Sequence, residues 1–364
     1  MLILTIGVIL FLVSLLLKGL KKYNIWVGFA IVIIIMAFQD NIEGDFQGYE
    51  QTYTIQLDSR TADDEPFWSF LNLLCAPLMS FRCFYFLIVV FQVFILKAFV
   101  NEYADKKYSW IAPLLFYFTF NMMLIQMKAI RQGLAVELCL FSFYLMDKTK
   151  LWKAVIPAVL GYLTHNSALI TFPLLVVYKY FLITPKNHSN NRKKQNEWFW
   201  PIFMVFITFS IYLLKTYVLN NYILALATLF SDGDFRLIGY LNETDADINL
   251  SNVMLLYNMF LVGLASWYYQ TASKFERIMC LATIVASYME ILFFGMGSLF
   301  RMGLYFSVFS IVLVPNILNK VGRRYGSWAA FMLSIFFVLY AIKTSLPWLM
   351  SSEPDRFGGY RFVL

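Results

Sequence analysis

The sequence predicts an all-α polytopic membrane protein with about twelve transmembrane helices and a short re-entrant or interfacial segment. Of the 364 residues, 60% are hydrophobic and only 14% are charged, whereas a soluble domain is nearer half apolar and a quarter charged. Aromatic residues reach 19%, with 37 Phe and 23 Tyr, which is too much apolar surface for one water-soluble core. Apolar stretches recur along the chain, and in lipid only helices satisfy their own backbone.

The apolar stretches define the predicted elements within a single membrane domain, residues 1–364. The predicted spans are 2–17, 24–38, 82–99, 108–125, 130–146, 151–165, 167–182, 198–219, 252–270, 277–295, 301–319 and 327–349. Segment 66–80 is apolar but short, and it contains Pro66 and Pro77. We therefore expect that segment to be re-entrant or interfacial rather than to cross the bilayer.

Charge alternates between successive loops and predicts the orientation. One alternate set of loops holds 19 of the 29 Lys and Arg, while 16 of the 22 Asp and Glu lie on the other side. The positive-inside rule places the Lys-rich loops in the cytoplasm, so the net charge of +7 is no sign of nucleic-acid binding. The long outer loops 39–66 and 220–251 are expected to form part of an active face, because long connections in compact domains are often functional.

The first candidate site is an acid followed by two tyrosines. Asp45, Tyr49 and Tyr53 are spaced four and four, so they share one face if the stretch is helical. A carboxylate accepts hydrogen bonds from sugar hydroxyls, and aromatic rings stack on the apolar face of a pyranose. The alternative is an interfacial helix with its tyrosines at the headgroup level.

The second candidate lies at the outer end of a span. Lys128 and Arg131 are three residues apart and are expected to share a face, with Gln132 beside them. A planar guanidinium and a nearby ammonium suit the oxygens of a lipid pyrophosphate. The alternative is snorkelling of these side chains to ordinary phospholipid.

The third candidate is His165, at the outer turn between two spans. Histidine is the side chain best suited to exchange a proton near neutral pH. The alternative is structural, with Asn166 or Ser167 capping the next helix and His165 satisfied by a carbonyl.

The remaining candidates lie late in the chain. Glu290 is an acid within a span, where ionisable groups are functional candidates by default. Arg301 begins the next span, and Tyr305 is one predicted turn below it. An ion pair between Glu290 and Arg301 is the alternative. Arg236 lies in the second acidic loop, where such cations are usually plain surface pairs.

Metal and cofactor signals are absent from the sequence. The four cysteines have no metal-ligand spacing, and the outer acids include no Asp-x-Asp, so we expect no metal and no cofactor. A disulfide between Cys75 and Cys83 is possible, but the sequence does not imply it.

The order of these motifs resembles the EpsG family of Wzy-type exopolysaccharide and O-antigen polymerases. The resemblance spans most of the chain, and its middle two motifs are the most specific. The motifs are Asp45, Tyr49 and Tyr53; then Ile130, Arg131, Gln132 and Ala135; then His165, Ser167, Ala168 and Leu169; and last Arg301 and Tyr305. One departure is the segment 41–44 ahead of Asp45, where family members often carry an Arg.

The resemblance implies an architecture similar to the polytopic GT-C glycosyltransferases and a specific reaction. A polymer on undecaprenyl pyrophosphate is transferred to a new lipid-linked oligosaccharide repeat unit at the outer face of the cytoplasmic membrane, and undecaprenyl pyrophosphate is released. Arg131 and then Arg301 are expected to hold the leaving diphosphate. His165 is the first choice of base, followed by Glu290 or Asp45. Membrane lipid, a chain-length regulator and a flippase are the expected partners.

Three alternatives to a polymerase stay open at this point. An O-antigen ligase-like transferase would use the same layout with a different acceptor. A flippase or other transporter also needs outer cations and apolar grooves, but such proteins often contain internal repeats and charged residues near the midplane. Here the charges crowd one face and no repeat is seen, which favours a one-sided enzyme. A membrane O-acyltransferase uses a cytoplasmic acyl donor, and the outer position of His165 argues against it.

Overall fold

The computed structural model describes most of the chain and shows it to be helical. The described residues are 24–40, 45–59, 65–118, 122–149, 151–181, 198–219, 252–294, 297–350 and 361–362. Within these ranges the only extended pairing is between two antiparallel two-residue strands, β1 (Gln39–Asp40) and β2 (Arg361–Phe362). The predicted span 2–17 and the predicted outer loop 220–251 lie outside the described residues. The described part therefore agrees with the predicted all-α class.

Most of the described helices coincide with predicted apolar stretches, although sixteen α-helices lie in the described residues against twelve predicted spans, and the helix Asp45–Ser59 lies in the predicted outer loop 39–66. From the start of the described residues they are α1 (Asn24–Ala37), α2 (Asp45–Ser59), α3 (Pro66–Cys75), α4 (Phe81–Tyr103), α5 (Ile111–Phe118), α6 (Met123–Lys128), α7 (Ile130–Lys148) and α8 (Leu151–Thr164). The later ones are α9 (Phe172–Val176), α10 (Phe199–Leu214), α11 (Asn252–Tyr269), α12 (Lys274–Phe293), α13 (Gly297–Arg301), α14 (Leu304–Ser307), α15 (Ser310–Tyr325) and α16 (Ser327–Met350).

Four predicted spans are not continuous α-helices. One of them, 198–219, consists of α10 followed by a π-helix, Lys215–Leu219. The predicted span 108–125 is divided into α5 and α6, and 301–319 is divided among α13, α14 and α15. The predicted span 167–182 begins as a 3-10 helix, Asn166–Thr171, continues as α9 and ends as a π-helix, Val177–Phe181. Hydropathy alone does not reveal such breaks, because it reports apolar composition and not the hydrogen-bond register of the backbone.

Two described helices are long and apolar enough to cross a membrane, Phe81–Tyr103 and Phe199–Tyr217. A third span results if Leu299–Ser307 and Ser310–Tyr325, which are bent by 47° at their break, cross together. Four further apolar helices are shorter: Ile25–Ala37, Pro66–Cys75, Leu151–Thr164 and Ser327–Ala341. The described helices support a polytopic membrane protein, but the number twelve is not confirmed.

The chain forms two compact units. One comprises Met1–Phe172 together with Val314–Leu364, and the other comprises Pro173–Leu313. In the first unit, α7 and α8 form a tight antiparallel hairpin. The packing is close at Gly161, where an added Cβ would lie 3.2 Å from both the Ala135 carbonyl oxygen and the Cys139 Sγ. This hairpin places the start of α7 beside the end of α8.

The basic loops of the first unit lie near the opposite end of α7. Tyr103 donates a hydrogen bond to Asp147 Oδ2 at 2.9 Å, and Lys148 Nζ lies 2.5 Å from Glu102 Oε1. Asn316 accepts from the Asp105 backbone N–H at 2.7 Å. The C-terminal ends of α4 and α7 therefore lie at the same end of the unit, as the charge alternation requires.

The second unit packs α10, α11 and α12 against one another. Trp198 and Trp267 stack with their ring centroids 6.4 Å apart. A capping box starts α12, since Ser273 accepts from the backbone N–H of Glu276 while the Glu276 side chain accepts from the Ser273 backbone N–H. Both contacts stabilise the ends of helices and are not candidate catalytic groups.

Candidate functional site

The carboxylate of Glu65 joins the two most specific motif residues of the chain. Its Oε2 lies 2.9 Å from Arg131 Nη1, and its Oε1 contacts Nδ1 of His165. The Glu65 side chain is 8% exposed, against 26% for Arg131 and 32% for His165. A buried carboxylate therefore holds a cation and an imidazole that both reach the surface of the unit.

Glu65 faces Arg131 and His165 because of the way α3 begins. Pro66 occupies the first turn of α3, where its missing N–H costs nothing, and Glu65 holds the N-cap position in extended backbone, with φ −112° and ψ 92°. Its side chain makes no capping hydrogen bond to α3. The carboxylate is therefore turned away from its own helix and toward the α7–α8 hairpin.

Arg131 and His165 meet because they lie at matching distances from one turn. Arg131 is in the first turn of α7, His165 follows the last residue of α8, and the two helices are joined near Thr149. At a rise of about 1.5 Å per residue, both positions lie roughly 20–27 Å from that turn. The antiparallel hairpin thus brings them to the same end.

His165 is the N-cap of the 3-10 helix Asn166–Thr171. Its backbone is extended, with φ −159° and ψ 119°, and its side chain makes no capping hydrogen bond to that helix. Asn166 and Ser167 lie within the 3-10 helix and not at its N-cap position. The contact of His165 Nδ1 with Glu65 also replaces the expected carbonyl partner of the ring.

Tyr49 lies against the guanidinium of Arg131. The Arg131 Cζ is 5.1 Å from the Tyr49 ring centroid, within the range of a cation–π contact. On its other side Tyr49 packs edge-on against Trp68, with centroids 5.7 Å apart. The structure thus brings together three sequence candidates, Tyr49, Arg131 and His165, around Glu65.

Tyr53 occupies a packing position one turn further along α2. Its ring stacks on Phe84 at 5.2 Å, and its hydroxyl donates to the Met79 carbonyl at 3.0 Å. Burial, together with smaller contributions from the nearby thiols of Cys75 and Cys83, raises the pKa of Tyr53 to about 12. Tyr49 and Tyr53 share the buried face of α2, as their spacing predicts. Asp45 begins that helix, and its side chain lies outside the described part.

Lys128 and Arg131 are not on one continuous helix. Lys128 ends α6, and Ala129, with φ −98° and ψ 72°, breaks the chain before α7 begins. The expectation that three-residue spacing places both on one helical face is therefore wrong. Lys128 is partly exposed, while Gln132 is buried and only 3% exposed.

A buried polar cluster lies below Arg131 in the same unit. Gln126 of α6 donates to Glu137 Oε1 of α7 at 3.4 Å. Gly133 allows the two helices to approach, since an added Cβ would lie 2.9 Å from Gln92 Nε2 and 3.1 Å from Gln126 Cβ. Glu137 is fully buried, and its carboxylate has a hydrogen-bond donor at this junction.

The late candidates belong to the second unit. Glu290 lies against Tyr257 and Asn258 of α11, and it forms no ion pair with another described residue. Arg301 ends α13, and Tyr305, 1% exposed, lies in α14. The helix is interrupted between them, so they are not one turn apart on a continuous helix. Arg236 lies outside the described residues.

Two functional candidates were missed by sequence reasoning. Glu65 was one acid among many in the 39–66 loop, although an acid directly before a proline and an apolar helix is a recognisable cap position. Lys215 of the second unit is 5% exposed, and its Nζ donates to the Phe294 carbonyl at 2.7 Å. That contact satisfies the C-terminal end of α12.

No metal site emerges from the part of the chain that the structure describes. Within it, no group of three His, Cys, Asp or Glu side chains gathers closely enough to hold an ion. The four cysteines are free thiols, with Cys75 half-buried and Cys83 exposed. The disulfide left open between them is not formed.

The arrangement around Glu65 combines three chemical capacities. An imidazole whose Nδ1 is held by a carboxylate is fixed in orientation and can take a proton on its other nitrogen. A guanidinium beside it can face phosphate oxygens. The nearby Tyr49 and Trp68 rings make an aromatic wall on one side.

Comparison with known proteins identifies one matching family. The EpsG family model matches residues 22–352, nearly the whole chain. EpsG proteins are Wzy-type, polymerase-like proteins of exopolysaccharide biosynthesis. No curated protein and no solved structure matches the chain.

Proposed function

The chain belongs to the EpsG family, and we propose that it is a polysaccharide polymerase using a lipid-pyrophosphate-linked donor. It acts at the outer face of the cytoplasmic membrane and joins oligosaccharide repeat units carried on undecaprenyl pyrophosphate. The observation that supports this most directly is the single carboxylate, Glu65, that contacts both Arg131 and His165.

The reaction needs a base, and His165 supplies it. The acceptor sugar hydroxyl gives its proton to the imidazole as its oxygen bonds to the anomeric carbon of the donor. Glu65 orients the ring through Nδ1 and stabilises the imidazolium that forms, in the way a carboxylate supports a histidine base in general.

The same step needs neutralisation of a leaving group, and Arg131 supplies it. As the new bond forms, the bond from the anomeric carbon to the diphosphate oxygen breaks, and the diphosphate leaves with the electron pair. A fixed guanidinium at that position stabilises the charge as it develops. The contacts with Glu65 and Tyr49 hold Arg131 in place.

The remaining candidate residues hold substrate in this scheme. Lys128 and Gln132 flank Arg131, and Asp45, Tyr49 and Tyr53 belong to the helix that covers it. Glu290, Arg301 and Tyr305 of the second unit, and Arg236, are proposed as further substrate-binding positions, with Glu290 and Asp45 as the alternative bases.

Purified protein given only a lipid-linked repeat unit should produce a ladder of products that differ by one repeat. Transfer of a single glycan to a different acceptor, with no ladder, would instead indicate a ligase-like transferase. Movement of the lipid between leaflets without any lengthening would indicate a transporter and would contradict the proposal.

A further inference from the structure

A second site lies in the first unit, at the junction of α1 and α4. A cavity of about 570 Å³ is lined by Phe38, Met79, Arg82, Cys83, Phe86 and Leu87. That volume falls within the usual range of about 300–1,000 Å³ for small-molecule sites. None of the residues of the Glu65 site lines it, so it is a separate feature.

The lining residues that the structure describes are apolar except for one cation. Phe38, Phe86 and Leu87 are 43%, 39% and 50% exposed, and Phe38 packs edge-on against Phe86 at 6.1 Å. Exposed aromatic and aliphatic side chains in a row suit contact with hydrocarbon. Arg82 is the single charged residue among the described residues that line the cavity.

Arg82 is held rather than extended freely into solvent. Its Cζ lies 5.3 Å from the ring centroid of Phe46, and Phe46 is 1% exposed. This cation–π contact fixes the guanidinium at the first turn of α4. A fixed arginine next to an apolar groove matches a ligand with a hydrocarbon chain and an anionic head.

We propose that this cavity binds an anionic membrane phospholipid, with one acyl chain in the groove and the phosphate paired with Arg82. A phosphodiester carries a single negative charge and accepts hydrogen bonds from one guanidinium. A diphosphate carries more charge, and among the described residues that line the cavity there is no second cation and no polar group suited to sugars. The site is therefore distinct from the polymerisation site, and it stands whether or not the proposed function holds.

Cys83 provides a direct probe, because it lines the cavity and its thiol is free and exposed. The full-length protein would be placed in nanodiscs of phosphatidylcholine, with or without phosphatidylglycerol. The alkylation rate of Cys83 by N-ethylmaleimide would be followed by peptide mass spectrometry. Cys75, which does not line the cavity, serves as the reference in the same digest.

Phosphatidylglycerol should slow alkylation of Cys83 several-fold while leaving Cys75 unchanged. Arg82→Gln should weaken that protection about fivefold, the factor that corresponds to about 1 kcal/mol per arginine at an anionic lipid surface. The matched control is Arg324→Gln, another arginine beside an aromatic ring but outside the cavity, and it should keep full protection.

Three results would overturn the proposal. Equal Cys83 alkylation in both lipid mixtures would mean that no anionic lipid binds there. Full protection in Arg82→Gln would remove the arginine from the site. Protection by added undecaprenyl phosphate in phosphatidylcholine, without protection by phosphatidylglycerol, would assign the groove to an isoprenoid lipid instead.

Discussion

Glu65 Oε2 lies 2.9 Å from Arg131 Nη1, while the other oxygen of the same carboxylate contacts His165. One side chain thus sets the position of both residues that we propose as the base and as the ligand of the leaving diphosphate. Because Glu65 stands at the start of α3, that helix is tied to the α7–α8 hairpin through the site itself. Each of the three residues can be tested separately.

Glu65→Gln should reduce polymer formation on the order of a hundredfold, the usual contribution of a well-placed acid–base group. The amide keeps the shape of the side chain but removes the charge that holds Arg131 and supports an imidazolium at His165. The measurement is the rate of ladder formation from a lipid-linked repeat unit, with thermal unfolding in detergent as the check on folding.

The matched control for Glu65→Gln is Glu102→Gln. Glu102 also forms an ion pair, with Lys148 at 2.5 Å, but its side chain is 41% exposed and lies at the opposite end of α7. Surface pairs of this kind contribute about 0–1 kcal/mol, so polymer formation should stay near the wild-type rate. Equal losses in both variants would show a general structural effect and not a role of Glu65 in the site.

Arg131→Lys should be nearly as inactive as Arg131→Ala, although it keeps the charge. A lysine ammonium is a point charge and cannot reproduce the planar fork of a guanidinium toward a carboxylate and a phosphate. Both variants should fold and should leave only short glycan products. Normal chain lengths in Arg131→Ala would remove this residue from the site.

The sequence predicted the helices well because their signal is local. Apolar stretches long enough to cross a bilayer mark the positions of the helices. Charge alternation predicted that Arg131 and His165 lie at the same end, and in the structure both side chains contact the Glu65 carboxylate. Glu65 could not be singled out in the same way. Its role depends on the entry angle of α3, which follows from three-dimensional packing and not from any periodicity.

Helix breaks account for the errors in the predicted site. The shared face of Lys128 and Arg131 assumed a continuous helix, yet Ala129 adopts a non-helical backbone between them. Arg301 and Tyr305 were likewise placed on one turn, but α13 ends at Arg301 and α14 begins at Leu304. Ala129 is a strong helix former, so composition gives no sign of the first break, whereas the second break contains Gly303, a weak helix former.

Tyr53→Phe separates a packing role from a sugar-binding role. The substitution removes the hydrogen bond to the Met79 carbonyl, which should cost about 1 kcal/mol of stability at neutral pH. If Tyr53 serves packing, polymer formation should stay near wild type once folding is accounted for. A large loss of activity without a loss of thermal stability would instead support direct contact with substrate.

The same variant should change how stability depends on alkaline pH. The pKa of Tyr53 is about 12 in the folded protein against an ordinary value of 10.0, so the unfolded chain releases its proton first. Below that ordinary value Tyr53 contributes no pH dependence, and above it stability falls as pH rises toward the folded pKa. Wild-type melting temperature should therefore drop more steeply across this window than that of Tyr53→Phe, while the exposed control Tyr180→Phe should follow wild type.

Gly133→Ala should destabilise the protein by about 1–3 kcal/mol, the usual cost of overpacking a buried position. The added Cβ would lie 2.9 Å from Gln92 Nε2 and 3.3 Å from the Gln126 backbone, so α6 must shift, and Arg131 two residues away moves with this junction.

Gly48→Ala is the matched control. Gly48 is an exposed interior position of α2 with nothing within 4 Å of an added Cβ, and alanine there should stabilise the protein by up to about 1 kcal/mol. Melting temperature and ladder length, measured together, should fall for Gly133→Ala and hold or rise for Gly48→Ala. If Gly133→Ala kept both at wild-type values, the close approach of α6 and α7 would not position Arg131.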